Sequence, residues 1–248
     1  MTLWSHGSLP ALPPELAPEP ADAYARAPKR ERTRRQLIEA AARVFSHRGV
    51  AVATLAEVAQ VGQVANATVY NHFASKDALI DEMAVWLADR LCRRIAESCV
   101  HVAEGSERMA VGNRRYLWLA DVAPAWAALL LDVAATSPAL LGTVRDYMLA
   151  DLRLGIRQKA FKVTTEAAAA DLVGGTISQA MRMRIAGLAP KNHATAVTTM
   201  VLVGLGMSRD AAAEVVARPL PPLAVAVAPP MPRSVSRSVR SGRSAVQR

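Results

Sequence analysis

Aromatic residues are scarce in this chain, with three Phe, four Tyr and four Trp among 248 residues. Runs of β-branched residues are short and do not alternate with polar ones, so the signals of a β-sandwich or barrel are missing. Alanine is abundant, and with few bulky rings to place, the composition points to an all-α core. No apolar run is long enough to cross a membrane, so no membrane partner is expected. The N-terminus has no basic region followed by an apolar run, so it does not read as a signal peptide, and a cytoplasmic protein is expected.

Cysteine is almost absent. Cys92 and Cys99 are the two present, seven residues apart on one predicted helix. Seven helical residues rise about 10 Å, too far for a disulfide within the helix. His101 lies close by, but the spacing fits no zinc pattern, so buried free thiols are expected and no metal site. The familiar catalytic signatures are also missing: there is no nucleophile elbow, no phosphate loop, no H-E-x-x-H and no partnered carboxylate pair. Neither an enzyme nor a cofactor is expected.

What is present is positive charge, unevenly placed. The net charge is +9. Residues 26–73 hold eight Lys/Arg against three acids, and residues 219–248 hold five Arg and no acid. Residues 74–218 are nearly balanced, and residues 1–25 are acidic. Two basic regions flanking a near-neutral middle suit phosphate binding through counterion release.

The chain is organised around Thr54 to Lys76, TLAEVAQVGQVANATVYNHFASK. Thr54 and Glu57 form a T-x-x-E capping box, which starts a helix. Leu55, Val58 and Ala59 give that helix one buried face. Gly62-Gln63 breaks the pattern, a second short helix carries Ala65 to Phe73, and Ser75 caps a third with Asp77 in its first turn. This is a helix-turn-helix, whose second helix would enter the DNA major groove. Upstream, a basic arm from Arg26 to Arg35 leads into a helix from Thr33 to about His47, with Gly49 as C-cap. Phe45, Leu55, Val58, Val64, Val69 and Phe73 close a small core. In the second helix Asn66, Ala67 and Thr68 sit at the groove-facing end, with Asn71 a further base contact. Arg30 and Arg34 of the arm, Thr54 at a helix start and Lys76 at the start of the third helix are candidate backbone contacts.

The residues Thr54, Val58, Ala59, Thr68, Val69, Tyr70, His72, Phe73, Ser75, Lys76, Asp77 and Leu79 resemble the DNA-binding domain of TetR-family transcriptional regulators, over about Arg32 to Leu87. The resemblance makes Tyr70 and His72 phosphate contacts. It departs from the family at the turn, where Ala-Gly is usual at 62–63, Ser at 65 and often Gly at 67; here stand Gly62, Gln63, Ala65 and Ala67. Gln63 is then strained unless Gly62 takes the positive-φ conformation, and Ala65 loses an N-cap hydroxyl, worth about 1 kcal/mol.

Ser75 to about Ser98 reads as one long helix, which the resemblance makes the link between a DNA-binding head and a helical body. Further helices are expected over 107–122, 124–136, 138–159, 164–185, 192–205 and 210–217. The helices of Leu172 to Ile185 and Ala196 to Val203 are apolar over broad faces, with Gly174 and Gly175 permitting close approach, and family likeness makes them a homodimer interface. An effector pocket is expected among the middle helices, with Trp118, Trp126, Tyr147, Met148, Leu119 and Met183 as apolar lining and Arg114, Arg145 or Arg182 as an anchor.

The domains expected are therefore a disordered leader at 1–27 (or an upstream start-codon misassignment), a helix-turn-helix domain at 28–76, an effector-binding and dimerisation domain at 77–218, and a disordered basic tail at 219–248. The function this implies is a ligand-responsive DNA-binding regulator, a repressor released from a palindromic operator by a small hydrophobic effector. The alternatives are a non-specific DNA-binding protein and, with less support, a helical enzyme.

Overall fold

A computed structural model of the chain describes residues 13–16 and 27–223. Among the described residues the regular structure is entirely helical: α1 (Lys29–Arg48), α2 (Leu55–Val61), α3 (Asn66–His72), α4 (Lys76–Ser98), α5 (Gly105–Val122), α6 (Pro124–Ala134), α7 (Pro138–Arg157), α8 (Glu166–Ile185), α9 (His193–Gly204) and α10 (Arg209–Ala217). The all-α expectation holds.

The helix starts follow the sequence signals. Thr54 and Glu57 complete their capping box on α2. The side chains of Ser75, Ser137, Thr165 and Ser208 each accept a backbone N–H two or three residues into the helix they precede. Pro124 and Pro138 occupy first helical positions, where a missing N–H costs nothing. Two starts differ: α5 begins at Gly105, not 107, and α1 begins at Lys29, not Thr33, so Lys29, Arg30 and Arg32 ride on its first turn and are not an extended arm. Pro28 before it supplies the fixed φ that a helix start tolerates.

α1 packs on α2 and α4, and α2 on α3, closing the small head. Leu37, Val44, Phe45, Val58, Val69 and Phe73 are all buried there, whereas Val64 is only partly covered. α4 then leaves the head and packs against α5, α6 and α7 of the body. α5 is the body's central helix, touching α6, α7, α8, α9 and α10. α5 and α7 cross closely at Gly105 and Gly155: a Cβ on Gly105 would lie 2.3 Å from the Gly155 nitrogen.

Short segments near both chain ends pack on the helices. Pro14–Leu16 form a short 3-10 turn on α4, with Leu16 buried and its carbonyl accepting from Arg90 Nε at 2.7 Å. After α10, residues 219–223 pack onto α5: Leu223 is buried and Arg115 donates to the Pro221 carbonyl. Arg218 pairs with both Glu104 and Glu107. The remainder of the leader, including Arg26, and the tail from 224 onward lie outside the described residues.

Candidate nucleic-acid interface and internal cavity

The turn between α2 and α3 resolves the question of Gln63. Gln63 takes a φ of +52°, while Gly62 is ordinary right-handed helix with φ −74°. Gly62 is needed for space and not for its dihedral. A Cβ there would lie 3.1 Å from the Val58 carbonyl and 3.3 Å from Leu37 of α1. Gln36 of α1 donates to the Gly62 carbonyl at 2.7 Å, tying the turn to the first helix. Ala65 precedes α3 without a side-chain cap, as its identity requires.

α3 buries Val69 and turns Asn66, Ala67, Tyr70 and Asn71 outward, with Thr68 half-buried. Tyr70 is 57 % exposed and its ring packs no core. This outward face is the candidate base-reading surface, since Asn offers a bidentate donor and acceptor and Ala or Thr an apolar contact. Arg30 is exposed on the first turn of α1. Lys76, half-buried, sits over the Phe45 ring and lies 3.4 Å from the Ala51 carbonyl. Thr54 is exposed, but its hydroxyl already donates to Glu57, whose carboxylate also meets Arg48.

Two expected phosphate contacts are placed differently. Arg34 is a clamp. Its Nε donates to Glu82 of α4 at 2.7 Å, its Nη1 to the His72 carbonyl at the end of α3 at 2.7 Å, and its guanidinium stacks 4.5 Å from the Phe73 ring centre. The hydrogen bond to Glu82 holds its pKa above the ordinary value. The reason is geometric: α1 passes over the α3–α4 junction, so the guanidinium reaches Glu82 and the His72 carbonyl while the side chain keeps 39 % exposure. His72 is half-buried with Nδ1 lacking a hydrogen-bond partner. Burial, followed by the charges of Arg30 and Arg34, lowers its pKa, so the ring is held neutral.

The body holds a half-open cavity of about 550 Å³ between α4, α5, α6, α7 and α8. Along α5 the wall is Met109, Gly112, Asn113 and Tyr116, at the i, i+3, i+4, i+7 spacing of one helix face. Arg145, Tyr147 and Met148 of α7 are brought to it, as expected from sequence. Arg114, Trp118, Trp126, Leu119, Arg182 and Met183 are not among its lining residues. Arg114 and Trp118 lie on the opposite face of α5, where Arg114 donates to the Arg218 carbonyl and Trp118 stacks beneath Arg115. Trp126 is a fully buried core residue of α6.

Sequence reasoning missed Cys92, Asn113 and Tyr116. The Cys92 thiol lies 3.1 Å from the Tyr116 hydroxyl, and burial pushes its pKa up to about 11. The signal for this face was a Gly and an Asn inside an otherwise apolar helical stripe at 109–116. Arg108 and Asp151 form an ion pair on the same wall, at 2.6 Å.

Residues 37–83 match the family model of bacterial regulatory proteins of the tetR family, and residues 104–218 match that of a tetracyclin repressor-like C-terminal domain. The HTH-type transcriptional repressor KstR2 of Mycobacterium tuberculosis is 32 % identical over 76 residues, covering 31 % of this chain and 38 % of that protein. The HTH-type transcriptional regulator TtgR of Pseudomonas putida is 38 % identical over 77 residues, or 31 % and 33 % of the two chains. The matched part thus spans well under half the length of either relative. Among solved structures, RolR in complex with resorcinol superposes with a TM-score of 0.67 at 21 % identity, covering 79 % of this chain and 98 % of that one. FadR of Bacillus subtilis in complex with stearoyl-CoA gives 0.56 at 16 % identity, covering 69 % and 97 %. At such identities the structural likeness concerns the fold. The helix-turn-helix geometry and the two family matches, one on the head and one on the body, lead to the same conclusion: this chain belongs to the TetR family of bacterial transcriptional regulators.

Proposed function

We propose that the protein is a homodimeric repressor that binds a palindromic operator through two copies of α3 and is released when a small hydrophobic effector fills the α4–α8 cavity. The observation that carries this reading is α4. It is one unbroken helix from Lys76 to Ser98, packed on α1 at its start and supplying Cys92, Ile95 and Ala96 to the cavity wall near its end. A helix of that length spans about 35 Å. A rigid rod with one end in the cavity and the other under the reading head transmits a change in the wall to the spacing of two recognition helices. The effector shifts that equilibrium only by its differential affinity for the two states.

In this reading residues 28–76 act on DNA in the cytoplasm, with Asn66, Ala67, Thr68 and Asn71 at base edges and Arg30, Thr54, Tyr70 and Lys76 at phosphates. Residues 77–218 bind the effector and dimerise. Leu172, Met200 and Val203 stand exposed on α8 and α9, whereas Gly174 and Gly175 line the cavity. That surface supports a two-fold helical interface. Ligand complexes of the similar RolR and FadR support the effector reading.

The test is fluorescence anisotropy on the DNA upstream of the protein's own gene against scrambled DNA, over a salt series, with wild type, Tyr70→Ala and a chain lacking residues 219–248. Preference for the upstream DNA that survives tail removal and is lost in Tyr70→Ala supports the proposal. Equal binding to both DNAs that vanishes without the tail makes the protein a non-specific binder.

A further inference from the structure

The Nδ2 of Asn113 finds no hydrogen-bond partner among the described residues, although the residue is 95 % buried and contributes to the cavity wall. A buried amide without partners is costly, and native proteins rarely leave one unless something else satisfies it. A half-turn about χ2 exchanges its oxygen and nitrogen, so the wall can present a donor or an acceptor. The other polar groups of the cavity are differently placed. Cys92 and Tyr116 are engaged with each other. Arg108 is taken up by Asp151 and by the Cys99 carbonyl. Arg145 and Asp171, of opposite sign, are exposed to solvent. Tyr147 donates to Asp89, and Ser178 is only half-buried. Among the described residues, the buried part of the wall therefore offers one unsatisfied neutral group, Asn113, and no unpaired buried charge.

From this we infer that the effector is an uncharged, largely apolar molecule with a single carbonyl or hydroxyl, and that Asn113 is the residue that recognises that group. The inference rests on the cavity being the effector site. A carboxylate would have to displace Asp151 from Arg108 or lose its water without a partner, and a cation would face Arg108. Apolar groups such as Met109, Leu130, Val144 and Met181 surround the remainder of the ligand. The wall also has room: Gly112 lies one residue from Asn113 on the same face, and a Cβ there would meet nothing within 4 Å.

Three probes of one shape test this: 2-acetylnaphthalene, 2-isopropenylnaphthalene and 2-naphthoate, which present a ketone, a hydrocarbon and a carboxylate. Each is titrated calorimetrically into the full chain and into Asn113→Leu, Asn113→Ala and Gly112→Leu, with circular dichroism confirming that each variant is folded. The expected result is that wild type binds the ketone roughly tenfold tighter than the other two, a ratio equivalent to about 1.4 kcal/mol. Asn113→Leu, or Asn113→Ala where the leucine variant does not fold, brings the ketone to the level of the hydrocarbon, and Gly112→Leu weakens all three. Equal affinity for ketone and hydrocarbon, or tightest binding of naphthoate, with Gly112→Leu still blocking, overturns the inference and leaves the cavity as the effector site. Absence of binding, or binding indifferent to Gly112→Leu, overturns both.

Discussion

In the α1–α3 head, Leu37, Val44, Val58 and Val69 are fully shielded from solvent, and the polar groups at the joints answer one another: Thr54 with Glu57, Gln36 with Gly62, Arg34 with Glu82 and His72. In the α4–α8 body, a cavity of about 550 Å³ remains, with an amide nitrogen on its wall that nothing among the described residues satisfies. The head is tightly packed and presents α3 in a fixed pose, with His72 Nδ1 its one buried polar atom lacking a partner among the described residues. The body is short of one set of contacts, and a molecule that supplies them stabilises the conformation that holds it.

The largest expected break in this contrast is Phe45→Ala. The ring is buried among α1, α2 and α4, and its removal should cost about 3–5 kcal/mol. Thermal unfolding should fall sharply and DNA binding should vanish. A comparable truncation at the cavity, Met109→Ala, should cost less because its neighbours already border empty space. Equal losses would remove the distinction between a closed head and an open body.

The body also carries a pH signature. The neutral Cys92 thiol is favoured in the folded chain, with its pKa pushed up to about 11 by burial. The native state therefore holds its proton at a pH where the unfolded thiol has lost it, and stability must fall as pH rises. The contribution is complete below about pH 8.5, where an unfolded thiol titrates. It is lost progressively up to about 11. The loss should reach about 3 kcal/mol. Urea unfolding of wild type and Cys92→Ala across that range should show the two stability curves converging as pH rises; parallel curves would refute the assignment.

Arg34→Met separates a clamp from a phosphate contact. Loss of its links to Glu82 and His72 should destabilise the head by about 1–2 kcal/mol, reduced by partial exposure. The salt dependence of DNA binding should keep its slope. For Lys76→Met the reverse is expected, with a slope smaller by about one. A reduced slope in Arg34→Met would return it to the DNA surface.

The smallest effect is at the turn. Gln63→Gly relieves a positive φ and should stabilise the head by up to about 1 kcal/mol. Gly62→Ala should destabilise it, because the added methyl meets the Val58 carbonyl and Leu37. Differential scanning calorimetry decides the pair, and a shift of the same sign in both would refute the division of roles between Gly62 and Gln63.

The helix starts were largely readable in advance because their signals are local. The capping box at Thr54, the caps at Ser75 and Ser208, and Pro124 and Pro138 at helix starts act within one turn of chain, so nearby residues suffice to place them. The start of α1 was not, since the charges of Lys29 to Arg32 read as readily as an arm as a first helical turn. The cavity was read only in part. Tyr147 and Arg145 reach it, whereas Trp118 and Trp126 were grouped with them as large side chains on apolar helices.

By itself the sequence determined the helical class, the position of the turn, the outward face of α3 and the broad apolar faces of α8 and α9, because each follows from helical periodicity and short-range backbone chemistry. Only the tertiary structure decided that Arg34 locks α1 to α3 and α4, that Gly62 is small for the sake of Leu37, and that Asn113 Nδ2 in the cavity wall has no partner among the described residues. Those outcomes depend on which helix faces come together across dozens of residues. Periodicity fixes which side chains share a face, and packing alone fixes what that face meets.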